Sequence, residues 1–336
     1  MNDLKGKSLA ELKEICDELG FSKFKAKEIY SFIHKKLGKD LENLTTIKLV
    51  EREKLKGLFF ISNIAAHKIE EGQEVKKVSF LLNDGKIVET VFMDYGPERK
   101  TLCISSQVGC PIGCGFCATG IMGFARNLTT AEILSQVYYF AEKDKISNIV
   151  FMGMGEPFLN FDNVIKAAKI LNNEVGQNIA SRKIVLSTIG ILAGIRKFAQ
   201  ESKQLRLAWS LVAPNDALRK KLIPFKGLAS IEETIAALKD YQKATKRRIT
   251  IEYVVLKGVN DSQADIKELA KIANKLDSHI NLIPYNNSPG SVFESGDVDQ
   301  IRSKLKKINQ SINVTIRNSL GQDISAACGQ LATLIK

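Results

Sequence analysis

The 336-residue chain has a hydrophobic share of 44%, a formal charge of +12 and six cysteines. This is enough apolar material for one large domain and a small one without staples, and too few cysteines for a disulfide scaffold. No run of about eighteen apolar residues occurs, and the start, Met1-Asn2-Asp3-Leu4-Lys5, lacks a basic stretch followed by an apolar segment, so a cytoplasmic protein with no membrane partner is expected.

Residues 8–58 read as helices: Leu9, Leu12, Ile15 and Leu19 keep helical spacing after Ser8, and Ile29, Phe32 and Ile33 follow in the next segment. Between Ile61 and Met93 the period changes to two. Val75, Val78, Phe80 and Leu82 make one strand, Asn83-Asp84-Gly85 a turn, and Ile87 to Met93 the return. Residues 1–98 are therefore expected to form a helical plus β-hairpin accessory domain. From Thr101 onward strand and helix alternate, with strands near 101–108, 148–153, 183–189, 205–212, 248–256, 279–285 and 312–317. Such alternation implies an α/β fold with a parallel sheet, a (β/α) barrel over residues 99–336, incomplete or closed, with a doubly wound sheet as the other arrangement.

Basic clusters, Lys23-Phe24-Lys25-Ala26-Lys27, Arg219-Lys220-Lys221 and Lys246-Arg247-Arg248, are spread along the chain. A net positive charge favours a polyanionic partner such as RNA, because each cation set against a phosphate releases counterions. The blander account is solvated helix faces, and charge says nothing of chemistry.

The strongest local signal is Cys110-Pro-Ile-Gly-Cys114-Gly-Phe-Cys117, directly after the first strand of the α/β region. Three thiolates on one short loop suit three corners of a [4Fe-4S] cube and leave one iron open to a small chelating molecule. Gly109, Gly113 and Gly115 permit tight wrapping. A structural zinc site is the alternative, but it needs a fourth ligand, and His34, His67 and His279 lie far away in sequence. Polar residues recur at the ends of successive strands: Gly155 and Glu156 in Phe151-Met152-Gly153-Met154-Gly155-Glu156-Pro157, then Ser187-Thr188, then Ser210, then Asn286. In a barrel those ends converge on one face, where active sites sit.

C-x3-C-x2-C on the first strand-to-helix loop resembles the radical S-adenosylmethionine (SAM) superfamily, and the segment ending in Gly155-Glu156 is similar to its glycine-rich SAM-binding element. Cys103, in Thr101-Leu102-Cys103-Ile104-Ser105-Ser106-Gln107, and Cys328, in Ser325-Ala326-Ala327-Cys328-Gly329-Gln330, extend the likeness. Over essentially its whole length the chain resembles the RlmN and Cfr family of RNA adenosine methyltransferases. The resemblance implies a [4Fe-4S] cluster on Cys110, Cys114 and Cys117, and SAM held by Gly155, Glu156, Ser187, Ser210, Leu211, Val212 and Asn286. It also implies a methyl group carried by Cys328, a disulfide between Cys103 and Cys328 that releases the product, and Glu89, in Val88-Glu89-Thr90-Val91, as the base that takes the ring proton. Taken alone, Glu89 reads as a strand carboxylate facing water.

One departure stands out: Ser210-Leu211-Val212-Ala213-Pro214-Asn215-Asp216 carries Val212 where the family commonly has His. Pro157 after Glu156 resembles the RlmN branch, which implies methylation of adenine C2 in 23S rRNA and tRNA, with a reductant such as flavodoxin or ferredoxin. Methylation at C8, another radical SAM reaction, and a non-catalytic RNA-binding iron–sulfur protein are the alternatives. Cys16 reads as a buried small hydrophobe.

Overall fold

A computed structural model describes residues 1–202, 204–287, 291–317 and 320–331. The short strand β1 (Asn2–Asp3) leads into helices α1 (Leu9–Glu18), α2 (Lys23–His34) and α3 (Leu49–Leu58), and β2 (Phe59–Phe60) closes the module by pairing parallel with β1. Ser8 starts α1 with a capping box: its hydroxyl accepts from the Glu11 N–H while the Glu11 carboxylate accepts from the Ser8 N–H. The face predicted from spacing is the buried one, with Leu12, Cys16, Ile29 and Ile33 fully enclosed. The module is fastened to the rest by polar contacts as well as apolar ones. His34 Nδ1 lies 2.6 Å from the Tyr138 hydroxyl, and Lys5 Nζ donates to Ser135 Oγ at 3.0 Å.

Next come β3 (Ala65–Gly72), β4 (Val75–Leu81) and β5 (Ile87–Asp94), an antiparallel meander. The Asn83-Asp84-Gly85 turn forms as expected, with Gly85 at φ 77 and Leu82 N–H donating to Lys86 O at 2.8 Å. The rest of the chain adds β6 (Lys100–Cys103), β7 (Gln107–Gly109), β8 (Phe124–Asn127), β9 (Asn148–Phe151), β10 (Ile184–Thr188), β11 (Arg206–Ser210), β12 (Ile249–Val255), β13 (Ser278–Pro284) and β14 (Asn313–Ile316), mostly separated by helices.

The strand order is β14-β13-β12-β11-β10-β9-β6-β5-β4-β3, one ten-stranded sheet. Strands β6 and β9 to β14 pair in parallel, as the alternation predicted. The meander joins them edge to edge, because β5 pairs antiparallel with β6. The sheet thus runs unbroken across residues 98 and 99. Among the described residues β3 and β14 remain its two edges, so the barrel is open. The meander is covered by the helix Thr130–Ala141: Phe92 stacks on Phe140 with ring centroids 5.5 Å apart, and Phe80 meets Tyr139 and Phe140 edge-on. Rings of this size each bury about 2–3 kcal/mol of apolar surface, which explains why β5 is buried on both faces. No helix among the described residues is long and apolar enough to cross a membrane.

Candidate active site

The ends of β9, β10 and β11 converge as the sequence suggested. One cavity is lined by Cys110, Cys114 and Cys117 together with Gly155, Glu156, Ser187, Ser210, Val212, Glu252, Arg317 and Cys328. The cysteine loop is shaped by its own backbone. Gly109 sits at φ 75, and a Cβ there would lie 2.0 Å from the Gly123 carbonyl, which accepts the Cys110 N–H at 2.7 Å. Cys117 precedes the short helix Ala118–Ile121.

Burial, followed by the proximity of neighbouring groups, pushes the thiols up: Cys110 to about 12, Cys114 well above its ordinary value and Cys117 in the same direction. Three such thiols are poor thiolates without a cationic core to neutralise them, which suits an iron–sulfur cluster. Among the described residues no three His, Cys, Asp or Glu side chains converge as they would around a single ion. A cube presents separate irons to its ligands and does not ask for that convergence.

Beside the cysteines, Glu156 is buried and spends its oxygens on backbone donors, Oε1 on the Phe158 N–H at 3.1 Å and Oε2 on the Ile189 N–H at 3.0 Å. Burial raises its pKa to about 7 against those hydrogen bonds. Its own N–H donates to Gln107 Oε1 at 2.8 Å. Gly155, at φ 102, lies against the same Gln107, and a Cβ would come within 2.6 Å of that side chain. Ser187 and Ser210 share a 2.9 Å hydroxyl contact on adjacent strands. Val212 lines the cavity with φ 65, a left-handed conformation uncommon for a β-branched residue. Its carbonyl is held by Asn260 Nδ2 at 2.7 Å.

Two expected SAM residues adjoin this lining without being part of it. Leu211 is fully buried in the core, with its N–H donating to Glu252 O at 3.1 Å. Asn286 is also outside the cavity lining: its Nδ2 donates to the Cys328 carbonyl at 3.2 Å and its Oδ1 accepts from Gln322 Nε2 at 2.7 Å. It thereby holds the tail that carries Cys328. That tail is also fastened to the cluster loop, because Ala118 N–H donates to Gly329 O at 2.8 Å and Thr119 Oγ1 to Leu331 O at 2.5 Å.

A smaller chamber shares Met152, Arg317, Cys328 and Gly329 with the main cavity as lining, and Cys103 lines it too. The two cysteines, from β6 and from the tail, therefore face the same space. Burial first, then Cys328, raises Cys103 to about 12. Arg317 lines both cavities, and Cys328, Glu252 and Cys103 hold it charged against its burial. Glu252 is raised by burial and eased by Arg317 and by Asn281, whose amide donates at 2.8 Å.

Glu89 is buried, not water-facing. Ser79 Oγ donates to its Oε1 at 3.2 Å and Lys77 Nζ lies 3.9 Å away. It shares a face of β5 with Val91 and Met93, which line the Cys103 chamber. Sequence reasoning missed Gln107, Glu252, Asn260 and Arg317. Arg317 was findable, since it follows the last parallel strand as the other polar residues follow theirs. In the cluster Arg219-Lys220-Lys221, Arg219 is fully buried while both lysines are exposed.

Comparison with known proteins agrees with this geometry. Residues 104–270 match the radical SAM superfamily and residues 2–61 the ribosomal RNA large subunit methyltransferase N-terminal domain. A probable dual-specificity RNA methyltransferase RlmN of Clostridium novyi is 40% identical, with 98% of each chain covered. The ribosomal RNA large subunit methyltransferase N of Nitrosopumilus maritimus is also 40% identical, over 99% of each. The crystal structure of a radical SAM methyltransferase from Sphaerobacter thermophilus superposes with a TM-score of 0.89 at 40% identity, covering 98% of this chain and 99% of that one. With the cysteine loop inside one matched region and the N-terminal helical module inside the other, the chain belongs to the RlmN family of the radical SAM superfamily.

Proposed function

We propose that the protein methylates C2 of an adenosine in 23S rRNA and in tRNA, with SAM as methyl donor and a [4Fe-4S] cluster on Cys110, Cys114 and Cys117. When bound, the cluster supplies the one-electron chemistry that turns SAM into a hydrogen-abstracting radical. The protein's own residues do the rest. Glu156 and the Ser187–Ser210 pair orient SAM. Cys328 accepts a methyl group and carries it to the base. Glu89 takes the ring proton. Radical addition leaves one unpaired electron on the adduct, which passes back to the electron carrier as the ring proton leaves. The Cys103 thiolate then attacks the Cys328 sulfur, so that a disulfide forms as the carbon–sulfur bond breaks. The electron pair goes to the product carbon, which takes a proton to become the methyl group. Residues 1–98 act as the RNA-binding accessory part and residues 99–336 as the catalytic barrel, of which 203, 288–290, 318–319 and 332–336 lie outside the described residues. A flavodoxin or ferredoxin supplies electrons, and the protein works in the cytoplasm.

The observation that carries this reading is that Cys103 and Cys328 line one chamber and that Cys328 also lines the cavity of the three loop cysteines. A radical SAM enzyme of another type has no use for that pair. Peptide mass spectrometry of protein isolated from SAM-producing cells should find a methyl thioether on Cys328. Digested rRNA and tRNA from cells with and without the protein should differ by 2-methyladenosine. Unmodified Cys328 after incubation with SAM and an intact cluster would sink the proposal, and 8-methyladenosine in its place would move the reaction to C8.

A further inference from the structure

Arg219 has no part in the chemistry above, yet it is a fully buried cation in the helix Asp216–Leu222. Its guanidinium bridges two carbonyls, with Nη1 donating to Ala229 O at 2.6 Å and Nη2 to Ile189 O, and it lies 5.9 Å from the Trp209 ring. Nε has no partner among the described residues. The acidic side chain that bears on it most, Asp216, has Oδ1 engaged by the Ile231 N–H at 2.9 Å. A buried charge costs several kcal/mol unless an opposite charge offsets it, and carbonyl dipoles do so only in part.

The helix shows where the offset lies. Its Leu222 carbonyl accepts from the Gly115 N–H of the cysteine loop at 3.2 Å, and Leu222, Ile223 and Ile189 pack against Cys110, Cys114 and Phe116. Arg219 reaches the cysteine loop through Ile189, whose carbonyl it holds and whose side chain packs against Cys110 and Cys114. Ile189, pinned through its carbonyl, donates its own N–H to Glu156.

We propose that Arg219 is a positioning residue of the cofactor site, a fixed internal cation that offsets the negative charge of the ligated cluster, raises its reduction potential, and holds the Ile189 corner behind Glu156. The inference rests on the cluster-binding reading above. A cluster with thiolate ligands becomes more negative on reduction, so a nearby immobile cation stabilises the reduced form.

The full-length protein and its Arg219→Met and Arg219→Lys variants, reconstituted without air, test this by iron content, a potentiometric titration followed by electron paramagnetic resonance, and SAM equilibrium binding. Arg219→Met should keep its iron and move the midpoint to more negative potential. Arg219→Lys should hold the midpoint near that of the unaltered protein but bind SAM about tenfold more weakly, because an ammonium cannot span both carbonyls as the planar fork does. An unshifted midpoint in Arg219→Met overturns the proposal. Should that variant not fold, unaltered SAM affinity in Arg219→Lys overturns it. An unaltered protein that takes up no iron defeats the cluster reading instead.

Discussion

The cluster loop and the Cys103–Cys328 chamber both present cysteines to one cavity, but they are built differently. The loop is local: its three cysteines fall between Cys110 and Cys117, and glycines at φ 75 and φ 74, Gly109 and Gly113, turn the backbone around them. The chamber is assembled from β6, the residue after β14 and the C-terminal tail, and Asn286 and the Ala118–Thr119 turn hold that tail down. A locally coded site fails when one of its own atoms is lost. An assembled one can lose a contact and keep its neighbour working.

That contrast sets the order of expected effects. Cys114→Ala should abolish the cluster, and with it all SAM cleavage, as read by iron content and 5′-deoxyadenosine formation. Cys103→Ala should spare both and block only release, so that RNA covalently attached to protein accumulates as a nuclease-sensitive band shift on a denaturing gel. Normal turnover by this variant would make Cys103 a packing residue. Asn286→Ala should slow methyl loading of Cys328 by about tenfold, the scale of one lost hydrogen bond, with iron content unchanged. If SAM affinity falls instead, Asn286 acts on SAM and not on the tail.

The smallest effect concerns a contact remote from the chemistry, between the helical module and the barrel. Burial pulls the pKa of His34 from 6.5 down to about 3. The folded protein therefore keeps the ring neutral while the unfolded chain takes up a proton below its ordinary pKa. The stabilisation is complete above pH 6.5 and is lost as the pH falls toward 3. Between pH 7 and pH 4.5 this amounts to about 3 kcal/mol. Urea unfolding of His34→Gln at the two pH values should show a loss smaller by that amount than in the unaltered protein. Equal losses would mean that His34 is not kept neutral by the fold.

The same contrast explains what the sequence disclosed. The alternation of strand and helix, the Asn83-Asp84-Gly85 turn and the cysteine spacing are encoded over short distances, and the structure reproduces them. The pairing of β5 with β6 is not so encoded. A hairpin followed by a change of pattern looks like a separate unit until the ladder shows it joined to the barrel. Glu89 looked like a water-facing strand carboxylate because period-two alternation cannot reveal a tail lying over the sheet. Lys77 shows the tail there, donating to the Ser325 carbonyl at 3.3 Å. Arg219 was hidden by its company, since a run of three basic residues on a short helix gives no hint that one points inward. Leu211 lies in the core and Asn286 holds the tail, contacts that no local pattern announces.

The unbroken ladder also bears on motion. Strands β5, β6 and β9 are hydrogen-bonded neighbours, and Ser105 Oγ ties them further by donating to Glu89 O at 2.6 Å and accepting from the Met154 N–H at 2.9 Å. Glu89, Cys103 and the Gly155–Glu156 corner are thus mounted on one stiff plate and have no hinge between them. A substrate base must be brought to this plate, and whatever gives way to admit it is drawn from parts held by fewer bonds. The tail bearing Cys328 is joined to that plate by single hydrogen bonds and not by a ladder, so it is the part that can yield without breaking the sheet.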